Sequence, residues 1–217
     1  MFKKLLAIGF AAVTAISILN TAVAADAKYK EGVNYQVRAE KLTEVKEIRE
    51  FFSFWCGHCF SLQETFDNLE KAYPNAEFVR NPVAMLGGPM GPESQRALVV
   101  AKNLGMEDIF VKELFKSMHT DGKIPMSHAE MADFMATVGI AKTKYEKEYI
   151  SFPVMGAVAK FDKLAKDINI DAVPEILING KYLVTMESVQ DEKDLFNLIG
   201  YLLEKDGVKD AKSAEAK

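Results

Sequence analysis

The sequence predicts an α/β fold carrying an all-helical insertion. Three observations predict it. A strand pattern, EVKEIREFFSFW, runs into a helical pattern and is followed by a second short strand, AEFVRNPV. A long middle stretch is helical in period throughout. Strands then return as EILINGKYLV ahead of a last amphipathic helix. The order is β-α-β, a helical block, then β-β-α, with a parallel pair in the first unit.

The chain has 217 residues, 49% of them hydrophobic and 27% charged, an ordinary globular balance. Residues 1–24 stand apart from the fold. Lys3 and Lys4 open the chain, an apolar run follows from Leu5 to Leu19, and Ala22-Val23-Ala24 forms an A-x-A site. This predicts a secretory signal peptide cut after Ala24. The apolar run is shorter than the ~20 residues a membrane span needs. Export places the protein where disulfides persist. Removing Lys3 and Lys4 leaves 25 basic against 31 acidic side chains, so the mature net charge is 25 − 31 = −6. No basic run stands out, so nucleic acid is not an expected partner.

The elements follow in order. Ile48, Phe51, Phe52 and Phe54 suit a strand covered on both faces. A helix runs from Cys56 to Tyr73, with Leu62, Phe66 and Leu69 on one side, and stops at Pro74. In the middle, Pro92 opens a helix that Gly105 closes, EDIFVKELFKSMH forms another, and Ser127 with Glu130 makes a capping box for a third that ends at Gly139. A longer helix spans 143–168, bent or broken near Pro153. Asn179-Gly180 between two apolar runs signals a tight hairpin. Ser188 and Asp191 cap the final helix, whose buried face carries Leu195, Leu198, Ile199 and Leu202. The expected domains are 25–86 and 153–206 for the two parts of the α/β unit and 87–152 for the insertion. A small, charged, disordered tail is expected over 207–217.

Cys56 and Cys59 are the only cysteines. A structural bridge over so short a loop constrains the unfolded chain little. A closed zinc site wants four ligands. Only His58 is near, while His119 and His128 lie far along the chain in the insertion. A redox pair has a mechanism. Cys56 would sit at a helix N-terminus, where unpaired N–H groups and the dipole favour a negative sulfur. His58 could add a positive charge or a hydrogen bond. Stabilising a thiolate makes the corresponding disulfide more oxidising. Two further residues have open readings. Pro174 either starts a strand or forms a cis bond with Val173 facing the cysteines. Glu50 either points to water or lies beneath the pair as a proton-carrying carboxyl. The methionines Met85, Met90, Met155 and Met186 read as core filler or as a pliable substrate groove.

The combination of a signal peptide, EFFSFWCGHC, a helical insertion and VPEILINGKYLV resembles the DsbA family of periplasmic thiol:disulfide oxidoreductases, in the thioredoxin superfamily. The resemblance runs from about Tyr29 to Lys205. It implies a thioredoxin-like fold with an inserted helical domain. It implies that Cys56 is the exposed nucleophile, Cys59 its buried partner, Val173-Pro174 a cis-proline loop beside the substrate, and Glu50 a buried acid. It implies that the Cys56–Cys59 disulfide passes to newly exported unfolded proteins, that a DsbB-type quinone-linked membrane partner restores it, and that no cofactor is bound. The family's usual Pro-His between the cysteines is Gly57-His58 here, the dipeptide of protein disulfide isomerase. That departure bears on oxidising strength and leaves an isomerase or reductase, and a non-enzymatic chaperone, as alternatives. About twenty mature residues precede the first core strand, too few for a dimerisation domain, so a monomer is expected.

Overall fold

The computed structural model describes residues 28–211, so the expected signal peptide lies outside them. Among these residues one mixed sheet is formed by β1 (Tyr35–Val37), β2 (Glu47–Phe52), β3 (Glu77–Pro82), β4 (Glu175–Ile178) and β5 (Tyr182–Val184), in the order β1-β5-β4-β2-β3. β2 and β3 pair in parallel, as a βαβ unit requires, and the other pairs are antiparallel. β1 falls in a stretch that reads as a polar lead-in. It is a three-residue edge with one buried side chain, Tyr35, too short to show a period.

The predicted helix from Cys56 to Tyr73 is two helices, α1 (Gly57–Ser61) and α2 (Gln63–Ala72). The chain kinks at Leu62. There the Gln63 side-chain amide donates to the Cys59 carbonyl at 3.1 Å. Side-chain insertion of this kind into a backbone ladder is a standard cause of kinks.

The helical block holds α3 (Met90–Asn103), α4 (Glu107–His119), α5 (His128–Thr137), α6 (Lys142–Tyr149) and α7 (Phe152–Asp167). α3 starts before Pro92, which occupies its first turn, where a missing N–H costs nothing. Ser127 caps α5 by accepting the Glu130 N–H at 3.2 Å, while the Glu130 carboxylate accepts from the N–H of Met126. The long helix expected over 143–168 is interrupted at Ile150-Ser151, and Pro153 sits in the first turn of α7.

α7 serves two cores. Val154 and Val158, in its first half, join the apolar cluster of the helical block. Leu164, Ala165 and Ile168 pack on the sheet face that carries Phe51, Leu177 and Leu183. The opposite sheet face is covered by α2 and by α8 (Glu192–Glu204), through Phe66, Leu69, Leu195, Leu198, Ile199 and Leu202. Asp191 alone caps α8, accepting the Asp194 N–H at 2.8 Å. Ser188 belongs to a preceding 3-10 turn and donates instead to the Thr185 carbonyl. The tail expected to be disordered from 207 is anchored as far as 211. The Lys46 N–H donates to the Lys209 carbonyl at 2.7 Å, and the Ala211 N–H donates to that of Asn75 at 2.8 Å.

The hairpin turn does more than reverse the chain. Asn179 and Gly180 have φ of 52° and 68°, the pair of positive angles a type I′ turn requires. The fully buried Asn179 side chain accepts the Glu47 N–H at 3.1 Å and donates to the Leu203 carbonyl at 3.1 Å. One amide thus ties β2, the hairpin and the end of α8 together. Asn179→Ala leaves a buried donor and a buried acceptor unmet, at about 1–3 kcal/mol each. A loss of about 3 kcal/mol in denaturant unfolding is expected, with the slope unchanged.

Candidate active site

β2 delivers its C-terminal end into an apolar wall. Phe52 and Phe54 are fully buried and meet edge to face, with centroids 5.1 Å apart, and Phe54 also packs on Phe110 and Phe115 of α4. Gly87 lets the Trp55 ring lie against the β3–α3 loop. A Cβ there would come within 2.4 Å of the indole. The chain then turns, and the Cys56 N–H donates to the Ser53 carbonyl at 3.0 Å.

Cys56 is the N-cap of α1. Its sulfur accepts the Cys59 N–H at 3.1 Å, the place a serine or aspartate oxygen takes in an ordinary cap. The same sulfur lies 3.6 Å from the Val173 carbonyl oxygen, a contact across 117 residues of sequence. The Val173-Pro174 bond is cis. Both cysteines are free and buried, Cys59 fully and Cys56 with 8% of its surface exposed. Cys56 is thus not the exposed sulfur the resemblance implies, only the more open of the two, because the Val173 carbonyl lies against it. Burial first, then the hydrogen bond with Cys56, pushes the Cys59 thiol far above its usual range. The two sulfurs are therefore chemically unlike, one at a helix terminus and one sealed.

Glu50 lies beneath them, 1% exposed, with its Oε1 bonded to nothing. Its ionised form would push the Cys59 thiol still higher. Burial raises the Glu50 carboxyl to about 8. Arg80, its partner in register on β3, opposes that shift without cancelling it. The Arg80 guanidinium is shared with Asp108 at 2.8 Å, Glu70 at 3.7 Å and Asp67 at 4.0 Å. Of the two sequence readings for Glu50, the buried one is the structure's.

His58 and Gly57 are exposed. The hydrogen bond that His58 could have given the Cys56 sulfur is not formed. The His58 ring instead lines a groove of about 330 Å³ with Leu62, Met186, Val189 and Leu195. Of the four methionines singled out, Met90 is core, Met85 and Met155 are exposed, and Met186 is in this groove.

Sequence reasoning missed two neighbours. His119, distant along the chain, comes back to the site. Its Nε2 donates to the Phe54 carbonyl at 2.7 Å, and its ring stacks on Phe60 at 5.0 Å. Arg80 lies in AEFVRNPV, a stretch that reads only as a short strand. Neither carried a signal, because each acts through a contact between separate elements. His128, by contrast, stays away, held between Glu93 and Glu146 at 2.8 Å from each.

Glu50 has a measurable cost. Its folded-state value, about 8, lies above its ordinary 4.5, so between these pH values the folded protein keeps a proton the unfolded chain has lost. Stability therefore falls as pH rises through that window and levels off outside it. Glu50→Gln should unfold at higher denaturant than wild type above pH 8 and show no such gain below pH 4.5. The difference between the two pH–stability curves reads this directly.

A family model described as the DSBA-like thioredoxin domain matches residues 47–198. The thiol:disulfide interchange protein DsbA of Escherichia coli K12 is 30% identical over 192 residues, covering 84% of this chain and 92% of that protein. The DsbA of Pseudomonas aeruginosa PAO1 is 32% identical over 161 residues, covering 74% and 75%. Among solved structures, a Proteus mirabilis DsbA variant holding the non-covalently bound peptide PWATCDS superposes with a TM-score of 0.74. It is 28% identical, with 82% of this chain and 99% of that one covered. A P. aeruginosa DsbA variant gives the same TM-score at 29% identity, covering 82% and 97%. The expected thioredoxin-like fold is the observed one, and the chain belongs to the DSBA-like thioredoxin domain family of disulfide oxidoreductases.

Proposed function

We propose that the protein is a periplasmic oxidant that donates a Cys56–Cys59 disulfide to newly exported, unfolded proteins. The observation that carries this reading is the asymmetry of the dithiol. Cys56 caps a helix and accepts the Cys59 N–H, whereas Cys59 is sealed beside a buried acid. An N–H donor and a helix terminus stabilise a Cys56 thiolate, which exists only after reduction, so they draw electrons into the protein.

The steps follow from the positions. A substrate thiolate attacks the Cys56 sulfur of the oxidised enzyme, the Cys56–Cys59 bond breaks, and the electron pair leaves on Cys59. Glu50, protonated below about pH 8, supplies the proton Cys59 requires in its dry site. A second substrate thiolate then attacks the substrate sulfur of the mixed disulfide and expels Cys56 as a thiolate. The substrate departs with a new disulfide and the enzyme as a dithiol. The Val173-Pro174 loop, with its carbonyl already facing Cys56, offers an edge for the substrate backbone. The groove lined by His58, Leu62, Met186, Val189 and Leu195, together with Glu187, Asp191 and Glu192, offers a substrate apolar surface beside acidic groups. The cysteine-containing peptide on the P. mirabilis relative supports this assignment. A DsbB-type quinone-linked membrane protein restores the disulfide, and the enzyme works as a monomer after its signal peptide is removed.

Cys56→Ser is expected to abolish oxidation of a reduced peptide. Cys59→Ser should accumulate a mixed disulfide visible on non-reducing gels. Turnover retained by Cys56→Ser would end this reading.

One observation favours a second reading. His58 is exposed and does not bond the Cys56 sulfur, so that one device for stabilising a thiolate is absent. The second reading is a weaker oxidant with isomerase ability, in line with the Gly57-His58 dipeptide. Equilibration with glutathione decides. A potential of about −120 mV, the reference value for DsbA itself, marks the strong oxidant, and one of about −180 mV, that of protein disulfide isomerase, marks the weaker one.

A further inference from the structure

Glu175 follows Pro174 directly, at the head of the otherwise apolar strand β4. Its side chain shares a sheet face with Phe51, its cross-strand partner, and with Leu177 and Leu183. One carboxyl oxygen, Oε2, is buried and bonded to nothing. The Arg38 Nε is also buried and unbonded, as is the Thr185 hydroxyl. The charged groups that act on Glu175 come from three places: Asp171 in the loop leading to Val173-Pro174, Glu187 in the 3-10 turn after β5, and Arg38 just past β1. Glu175 thus has a buried carboxyl oxygen without a donor, feels the charge of an arginine to which it is not bonded, and feels two like charges.

We propose that Glu175 is a positioning residue for the Val173-Pro174 loop, its charge state setting where the Val173 carbonyl stands relative to Cys56. The proposal rests on the function proposed above, in which the substrate is captured at that carbonyl. Neutral, Glu175 stays in its half-buried seat at the head of β4 without repelling Asp171, and the loop keeps the observed contact between Val173 and Cys56. Ionised, the carboxylate is driven from that seat by desolvation, by Asp171 and by Glu187, and is drawn toward Arg38. The loop between Asp171 and Glu175 is short, so a shift at one end is felt at Val173. Burial, chiefly, with help from Asp171 and against Arg38, lifts the Glu175 carboxyl to about 7, which places the change within the working range.

The test compares wild type with Glu175→Gln in oxidising a reduced cysteine peptide from about pH 5.5 to about pH 8.5, a span that brackets the raised carboxyl. The ratio of the two rates at each pH cancels ionisation of the peptide thiol and of Glu50. Glutamine mimics the neutral acid, so the rates should coincide at the acid end. At the alkaline end wild type should be slower by roughly three- to tenfold, the scale of small misplacements of a reacting group. The crossover should centre near the Glu175 value. Asp171→Asn removes a repelling charge without touching the strand. It should move the crossover toward lower pH, because the ionised form then meets less opposition. A ratio that stays flat across the range overturns the proposal, as does a crossover unmoved by Asp171→Asn. Turnover retained by Cys56→Ser in the same assay would instead remove the underlying reading and this proposal with it.

Discussion

The site depends on one hydrogen bond, from the Cys59 N–H to the Cys56 sulfur at 3.1 Å. It exists because β2 ends in a turn whose first helical residues are Gly57 and His58, which puts a cysteine where helices ordinarily place serine or aspartate. A cap of this kind serves a sulfur best when the sulfur is charged, since the N–H groups of a first turn have no other partners. The rest of the architecture keeps that turn in place. Phe52, Phe54, Phe110 and Phe115 form the wall behind it, and His119 fixes the Phe54 carbonyl two residues before Cys56. The helical block is thus the back wall of the site as well as an addition to the sheet.

The sequence made much of this legible, for local reasons. Asn179-Gly180, Ser127 and Asp191 announce their structures because a turn or a cap is settled within a few residues. The burial of β2 was readable because aromatic side chains on both faces admit only a central strand. The C-x-x-C pair was readable through chemistry rather than packing. What stayed hidden is non-local. Nothing in AEFVRNPV says that Arg80 will divide its charge among Asp67, Glu70, Asp108 and Glu50, which come from three other elements. His119 returns to the site only because α4 packs against the end of β2. The kink at Leu62 arises where a glutamine amide takes a backbone acceptor, a competition that periodicity does not register.

The helical block has a polar centre of its own. Glu93, almost fully buried, accepts from Tyr145 at 2.6 Å, from Tyr149, and from His128 at 2.8 Å. A buried carboxylate with three donors is satisfied, and its bonds join α3, α5 and α6. Glu50 is the opposite case, with one oxygen bonded to nothing. The contrast separates an acid whose bonds join three helices from one left without a donor.

Glu50 and Glu175 then form a pair by position. Glu50 stands opposite Ile176 and Glu175 opposite Phe51, so the two carboxyls occupy adjacent register positions on opposite faces of the sheet. Burial is the largest cause of both shifts, to about 8 and about 7. Both therefore oppose stability as pH rises from the acid range, since each is protonated more firmly in the folded chain than in the unfolded one. A fold shaped for stability alone would place apolar side chains at both positions. They stand at the two sides of the dithiol, one under Cys59 and one behind the loop that touches Cys56, and in the function proposed above that lost stability is the counterpart of proton transfer and substrate capture.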